Sequence, residues 1–135
     1  MTDTVPTKAA VLLLDSDPLT RAILHETLER AGHVVMGTGD LGAAVDRVRM
    51  MTPDLLIVRP YISGMPGQVA AQYLRSTCCP GLRVLIVGGF MDDDRIRVQS
   101  AVHDFHVFPK PFAADELLDK VSSVLRHRVP GRAKE

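Results

Sequence analysis

From Ala9 to Leu14 the chain is apolar at every position, and it then breaks at Asp15-Ser16-Asp17-Pro18. A strand with one face in water alternates apolar and polar residues, whereas an unbroken apolar run fits a parallel strand covered on both faces. Leu55 to Val58 and Val84 to Val87 repeat the pattern, and Val34 to Met36 and Phe105 to Phe108 are read as two further short strands. Helical spacing fills the intervals. Asp17 caps a helix that Pro18 opens, because proline at the first helical position loses only an amide hydrogen without an intrahelical partner. Leu19, Ile23, Leu28 and Ala31 are expected on its inward stripe, and Gly32 stops it in a backbone conformation other residues resist. Asp40 caps a second helix with Leu41, Ala44, Val45, Val48 and Met51 inward, and Pro53 ends it. A loop through Tyr61, Ser63, Gly64, Pro66 and Gly67 leads to a third helix with Val69, Ala70, Tyr73 and Leu74 on one face. Asp92 to Ala101 is read as a fourth helix with a weak stripe of Ile96, Val98 and Val102. Ala113 to Arg126 is read as a fifth, with Leu117, Leu118, Val121, Val124 and Leu125 inward.

Five strands alternating with five helices over short connections predict an α/β fold, a doubly wound five-stranded parallel sheet, rather than a bundle or a sandwich. One domain is expected over 9–126, between flexible tails at 1–8 and 127–135. In such sheets the working residues lie at the carboxyl ends of the strands. The informative positions are therefore Asp15 to Asp17, Arg59, Gly88 and Lys110.

Composition narrows the class. Sixteen acidic side chains balance sixteen Lys and Arg, so no electrostatic footprint for nucleic acid is present. Apolar residues reach 46% but aromatics only 4%, with no Trp, which calls for an aliphatic core. The two cysteines are the neighbours Cys78 and Cys79, a usage that suits a reducing cytosol better than a disulfide framework. Neither a secretory start nor a run of ~18 apolar residues is present, so neither export nor membrane insertion is expected.

Three segments carry a resemblance. Val11 to Arg21, reading Val-Leu-Leu-Leu-Asp15-Ser-Asp-Pro18-Leu-Thr-Arg, is similar to the opening strand and acidic turn of the receiver domain of bacterial two-component response regulators. Pro53 to Val58, followed by Ser63-Gly-Met65-Pro66-Gly67, resembles that family's acceptor strand and loop, and Lys110-Pro111-Phe112 its Lys-Pro signature. The resemblance runs from Ala9 to about Leu125. It implies a flavodoxin-like (βα)5 receiver with strand order 2-1-3-4-5, a cis bond before Pro111, and a cytoplasmic bacterial setting in a phosphorelay.

The family's chemistry, as the resemblance implies it, is phosphorylation of an aspartate at the end of strand three beside a magnesium ion held by an acidic pair. Here the acceptor position holds Arg59, and a guanidinium offers no nucleophilic oxygen for an acyl phosphate. The second member of the acidic pair is Ser16. Magnesium wants several oxygen ligands, so any binding at Asp15 and Asp17 is expected to be weak or absent, and no other cofactor is expected. The switch hydroxyl aligns with Gly88 and the switch aromatic with Val107, with Phe105 and Phe108 close by. Of the catalytic set Asp15, Lys110 and Pro111 remain. The chain is thus read as a degenerate receiver, or pseudo-receiver, in which Arg59 pairs with Asp15, and with Asp17 as a further partner, where the metal would stand. The plainer reading leaves Arg59 and Lys110 as solvated strand-end cations.

Weaker signals have plain explanations. His25-Glu26 fits a solvated helix surface, and His103, Asp104 and His106 lack zinc-site spacing. Cys78 and Cys79 fit packing at a helix end. Gly37, Gly39 and Gly42 follow the second strand, where a phosphate cradle is out of context. Ser16 and Ser63 are loop hydroxyls open to a Ser/Thr kinase, and Arg126, His127, Arg128, Arg132 and Lys134 make a basic tail.

The function expected is signal transduction by protein-protein binding, without enzymatic activity and without acyl phosphate at position 59. Protein partners in a signalling pathway are expected, with a homodimer compatible, and neither nucleic acid nor membrane. The resemblance implies a contact face on the fourth helix, fifth strand and fifth helix, including Arg95, Val98, Val102, Val107 and Lys120. Two alternatives stand beside this: phosphorylation of a neighbouring carboxylate such as Asp15 or Asp54, and binding of an anion or small ligand by Arg59 and Lys110.

Overall fold

A computed structural model of the chain describes residues 8–62, 64–88, 105–108 and 113–126. The strands are β1 (Ala10–Leu14), β2 (Val34–Thr38), β3 (Leu55–Val58), β4 (Tyr61–Ile62), β5 (Met65–Pro66), β6 (Arg83–Val87) and β7 (His106–Phe108). The helices are α1 (Pro18–Arg30), α2 (Leu41–Met50), α3 (Gly67–Thr77) and α4 (Ala114–Arg126). The helix expected over 92–101 lies outside the described residues.

Five strands form one parallel sheet in the order β2-β1-β3-β6-β7. Counting only those strands, this is the 2-1-3-4-5 order expected; the numbering is stretched by β4 and β5, a two-stranded antiparallel hairpin inserted after β3. Alternation along each strand divides the core in two. Leu12, Leu14, Leu56, Val58, Val84 and Ile86 face Ala44 and Val48 of α2 and Ala70, Ala71 and Leu74 of α3. Val11, Leu13, Leu55, Ile57, Leu85 and Val87 face Leu24 and Leu28 of α1 and Leu117, Val121, Val124 and Leu125 of α4. Both faces are covered, which is why the strand sequences do not alternate.

Helix α1 corrects one expectation. Its buried residues are Leu24 and Leu28, while Leu19 and Ile23 are 69% and 56% exposed. Leu19/Ile23 and Leu24/Leu28 are equally spaced pairs offset by five positions, a rotation of about 140° on a helix, so periodicity alone could not choose between them. Similarly, on α3 it is Ala70, Ala71 and Leu74 that are buried, with Val69 and Tyr73 outward.

The helix punctuation is as the sequence reads. The Asp17 carboxylate accepts from the Thr20 amide at 3.2 Å, and Asp40 accepts from the Ala43 amide at 2.8 Å. Gly32 closes α1 with φ +98°. Cys78 and Cys79 follow α3 without a disulfide, and the buried Cys79 thiol points at the Pro53 carbonyl oxygen, 3.8 Å away. Among the described residues no helix is long and apolar enough to cross a membrane.

Candidate functional site

The parallel ladder brings the ends of β1 and β3 side by side, since Leu14 pairs with Val58. The next residue on each strand is then Asp15 and Arg59. An Arg59 terminal nitrogen, Nη1, lies 3.2 Å from Asp15 Oδ1. The Asp15 side chain is 6% exposed and that of Arg59 36%, so the pair sits at the rim, with its carboxylate inside and its cation partly wet. Oδ1 also accepts from the Asp17 amide at 2.8 Å, so two donors already converge on one oxygen.

Of the two jobs expected of Asp17, capping α1 and joining the Arg59 pair, its carboxylate performs the first. Its carboxylate accepts from the Thr20 hydroxyl and amide as the cap of α1. The Thr20 hydroxyl, then the Thr20 amide, hold its carboxyl below the ordinary range; Arg59 adds a smaller push in the same direction through its field, without a hydrogen bond. Ser16 between them is exposed.

Arg21, unassigned in the sequence, completes the turn from the other side. Its Nη1 donates to the Asp15 carbonyl oxygen at 2.5 Å, while the Asp15 amide donates to Thr38 at 3.0 Å. The Arg21 stem lies over Gly37 and Gly39: a β-carbon at Gly37 would stand 3.3 Å from Arg21 Cδ, and one at Gly39 would stand 3.1 Å from Arg21 Nη1. These two glycines make a slot for an arginine rather than a cradle for phosphate. The signal in the sequence was their spacing of two on one strand end, opposite an arginine one helical turn past the Asp17 cap.

Gly88 is buried at the end of β6 with φ +116°, and its amide donates to the Phe108 carbonyl oxygen at 2.9 Å. A side chain there would be strained by the backbone alone. Val107, on β7, is half-buried and packs against the core on the α2 and α3 side. Lys120 on α4 is half-buried. Lys110, Pro111, Arg95, Val98, Val102 and Ser63 lie outside the described residues, as do His103, Asp104 and the basic residues beyond Arg126.

Asp54 is not part of this cluster. It precedes β3 at the opposite, amino end of the sheet, where its Oδ2 accepts from the Ala10 amide at 2.9 Å and its own amide donates to Ala10 at 2.7 Å. His25 pairs with Glu29 at 3.1 Å on the surface of α1. Among the described residues no group of three or more His, Cys, Asp or Glu could hold a metal ion.

The comparisons agree on what this frame is. The family model described as "Response regulator receiver domain" matches residues 11–122. Response regulator MprA of Mycobacterium leprae is 28% identical over 125 residues, covering 93% of this chain and 54% of that protein. The probable transcriptional regulatory protein TcrX of Mycobacterium tuberculosis is 29% identical over 117 residues, covering 86% of this chain and 49% of that protein. The chain thus spans about half the length of these curated relatives. Among solved structures, the chemotaxis protein CheY4 of Vibrio cholerae superposes with a TM-score of 0.77 at 22% identity, covering 87% of this chain and 98% of that one. NtrX of Brucella abortus superposes at 0.80 and 20% identity, covering 88% of this chain and 28% of that one. At these identities the structural likenesses speak for the fold, and the family match speaks for descent. The chain belongs to the response regulator receiver domain family.

Proposed function

We propose that this receiver transmits its signal by binding protein partners in a state held by the Asp15–Arg59 ion pair, without phosphorylation at the strand-three position and without catalysis of its own. One observation carries the reading: the residue after the last residue of β3 is a guanidinium, and it is 3.2 Å from the buried carboxylate of β1. A fixed cation there supplies the charge that a metal would supply, stays charged at physiological pH and has no oxygen on which to form an acyl phosphate. Magnesium fits this site poorly, because one buried carboxylate oxygen already takes an amide and a guanidinium while Asp17 is spent on its helix.

Partner binding is assigned, by family likeness, to the face that includes Val107 and Lys120 and, outside the described residues, Arg95, Val98 and Val102. The setting in this reading is the bacterial cytoplasm, with neither nucleic acid nor membrane as partner. A second reading, anion capture beside Arg59, rests on the third of that side chain left open to solvent. Phosphorylation at Asp54 is disfavoured by its position at the far end of β3.

The deciding experiment incubates the protein with magnesium and a small acyl-phosphate donor and reads the intact mass. No acid-labile adduct is expected; a stoichiometric one would overturn the proposal, and its site, mapped by fragmentation, would name the carboxylate. Thermal shift against inorganic phosphate and nucleotides tests the second reading through mass-action stabilisation.

A further inference from the structure

β1 ends at Leu14, and beyond it the sheet holds the chain only through the Asp15 amide, which donates to the Thr38 carbonyl oxygen at 3.0 Å. The next peptide, Asp15–Ser16, is held by a side chain. Its carbonyl oxygen accepts from Arg21 Nη1 at 2.5 Å, while the main-chain amide of the same arginine donates to the Asp17 carbonyl oxygen at 2.9 Å. Arg21 therefore grips the turn at both ends. Between those grips the Asp17 amide donates at 2.8 Å to Asp15 Oδ1, the oxygen that Arg59 meets at 3.2 Å. Rotation of the Asp15–Ser16 peptide would carry the Asp17 amide away from Oδ1 and free the carboxylate to take other rotamers.

The end of β2 is shaped to admit this side chain. A β-carbon at Gly37 would stand 3.3 and 3.4 Å from Arg21 Cδ and Cγ, and one at Gly39 would stand 3.1 Å from Nη1 and 3.9 Å from the Asp15 carbonyl oxygen. Neither glycine is among those with φ in the left-handed region, which are Gly32, Gly64 and Gly88. The backbone thus does not ask for glycine at 37 or 39, and room for the arginine does. His25, one turn on along α1, borders the same place, with Nδ1 3.7 Å from a β-carbon at Gly37, and is itself tied to Glu29 at 3.1 Å.

We propose that Arg21 is the positioning residue of the Asp15–Arg59 pair, its guanidinium holding the Asp15 carbonyl so that Oδ1 is presented to Arg59. The inference rests on the ion-pair reading of this receiver and adds what keeps the pair in register. A guanidinium suits the task better than an ammonium, because Nη1 lies one bond farther along the side chain than a lysine nitrogen and its plane fixes the direction of donation.

Double-mutant cycles between Asp15→Asn and Arg59→Ala, read as ratios of unfolding constants, test it with Arg21 present and altered. With Arg21 present the coupling is expected to be about fivefold. In Arg21→Met, whose stem still covers Gly37 but has no donor, it is expected to fall below about twofold, with circular dichroism confirming that the variant is folded. A merely structural loosening would lower every stability in the cycle and leave the coupling where it was. Arg21→Lys keeps the charge with its nitrogen set one bond short, and is expected to restore only part of the loss. A coupling unmoved by Arg21→Met would overturn this inference alone, and full restoration by Arg21→Lys would overturn it by making charge, rather than position, the cause. No coupling even with Arg21 present would overturn the ion-pair reading, and this inference with it.

Discussion

Gly67 lies against Arg59 so closely that a β-carbon on it would stand 2.0 Å from the Arg59 carbonyl oxygen. No relaxation of a side chain relieves that contact, because the opposing atom is backbone. The glycine therefore fixes where α3 begins relative to the end of β3, and with it the peptide from which the Arg59 side chain springs. Gly67→Ala is expected to destabilise the fold by about 2–3 kcal/mol, the upper part of the range for forced backbone shifts in a packed site. The denaturant midpoint should fall accordingly. Gly64→Ala is the contrasting case: nothing lies within 4 Å of a β-carbon there, and only its φ of +79° opposes the change.

The strength of the Asp15–Arg59 pair follows from its uneven exposure. Solvated pairs contribute ~1 kcal/mol or less, and breaking a fully buried one costs ~3–5 kcal/mol. With the carboxylate buried and a third of the cation wet, Arg59→Ala is expected to cost about 1–3 kcal/mol. A double-mutant cycle with Asp15→Asn should show a coupling near the low end of that range. Additive single effects would mean that the two side chains are not energetically coupled and that the pair does not hold the state.

Most of the sheet was legible because strands buried on both faces leave unbroken apolar runs, as at Val11 to Leu14 and Leu55 to Val58. The Asp15 and Arg59 positions were legible for the related reason that strand ends converge at one edge. The inward side of α1 was not, since Leu19 and Ile23 satisfy the same spacing as Leu24 and Leu28. Arg21 escaped because its contact is with a main-chain carbonyl, and its one trace in the sequence, the spacing of Gly37 and Gly39, is equally well explained by loop geometry. The β4–β5 hairpin carries the sequence pattern of a loop, since two-residue strands are too short to display alternation.

Returning a carboxylate to position 59 is not expected to rebuild a phosphate-accepting receiver. Arg59→Asp sets a second anion beside the buried Asp15, Ser16 adds no charge for a metal, and Gly88 offers no hydroxyl. Adding Gly88→Thr meets a backbone at φ +116°, which costs a threonine about 1–3 kcal/mol. The single variant is expected to show no stoichiometric phosphoryl adduct with an acyl-phosphate donor, and Gly88→Thr to lower the melting temperature. Efficient phosphorylation of Arg59→Asp alone would show that the remaining site is intact.

His33 makes stability depend on pH. Its Nδ1 accepts from the Ala9 amide at 3.1 Å, which places the neutral ring's proton on Nε2 and ties the turn after α1 to the residue that leads into β1. Burial pushes its pKa below the ordinary 6.5. The unfolded chain therefore takes up a proton more readily than the folded one, and stability rises with pH in this window. The contribution is fully present above 6.5 and is lost as pH falls through the lowered folded value. A protonated ring would also turn a second donor toward the Ala9 amide. Melting temperature is expected to drop as the buffer is taken from about pH 8 to about pH 5, and His33→Gln, which has an acceptor and gains no proton, to flatten that part of the profile. Parallel profiles for the two proteins would assign the acid sensitivity to other groups.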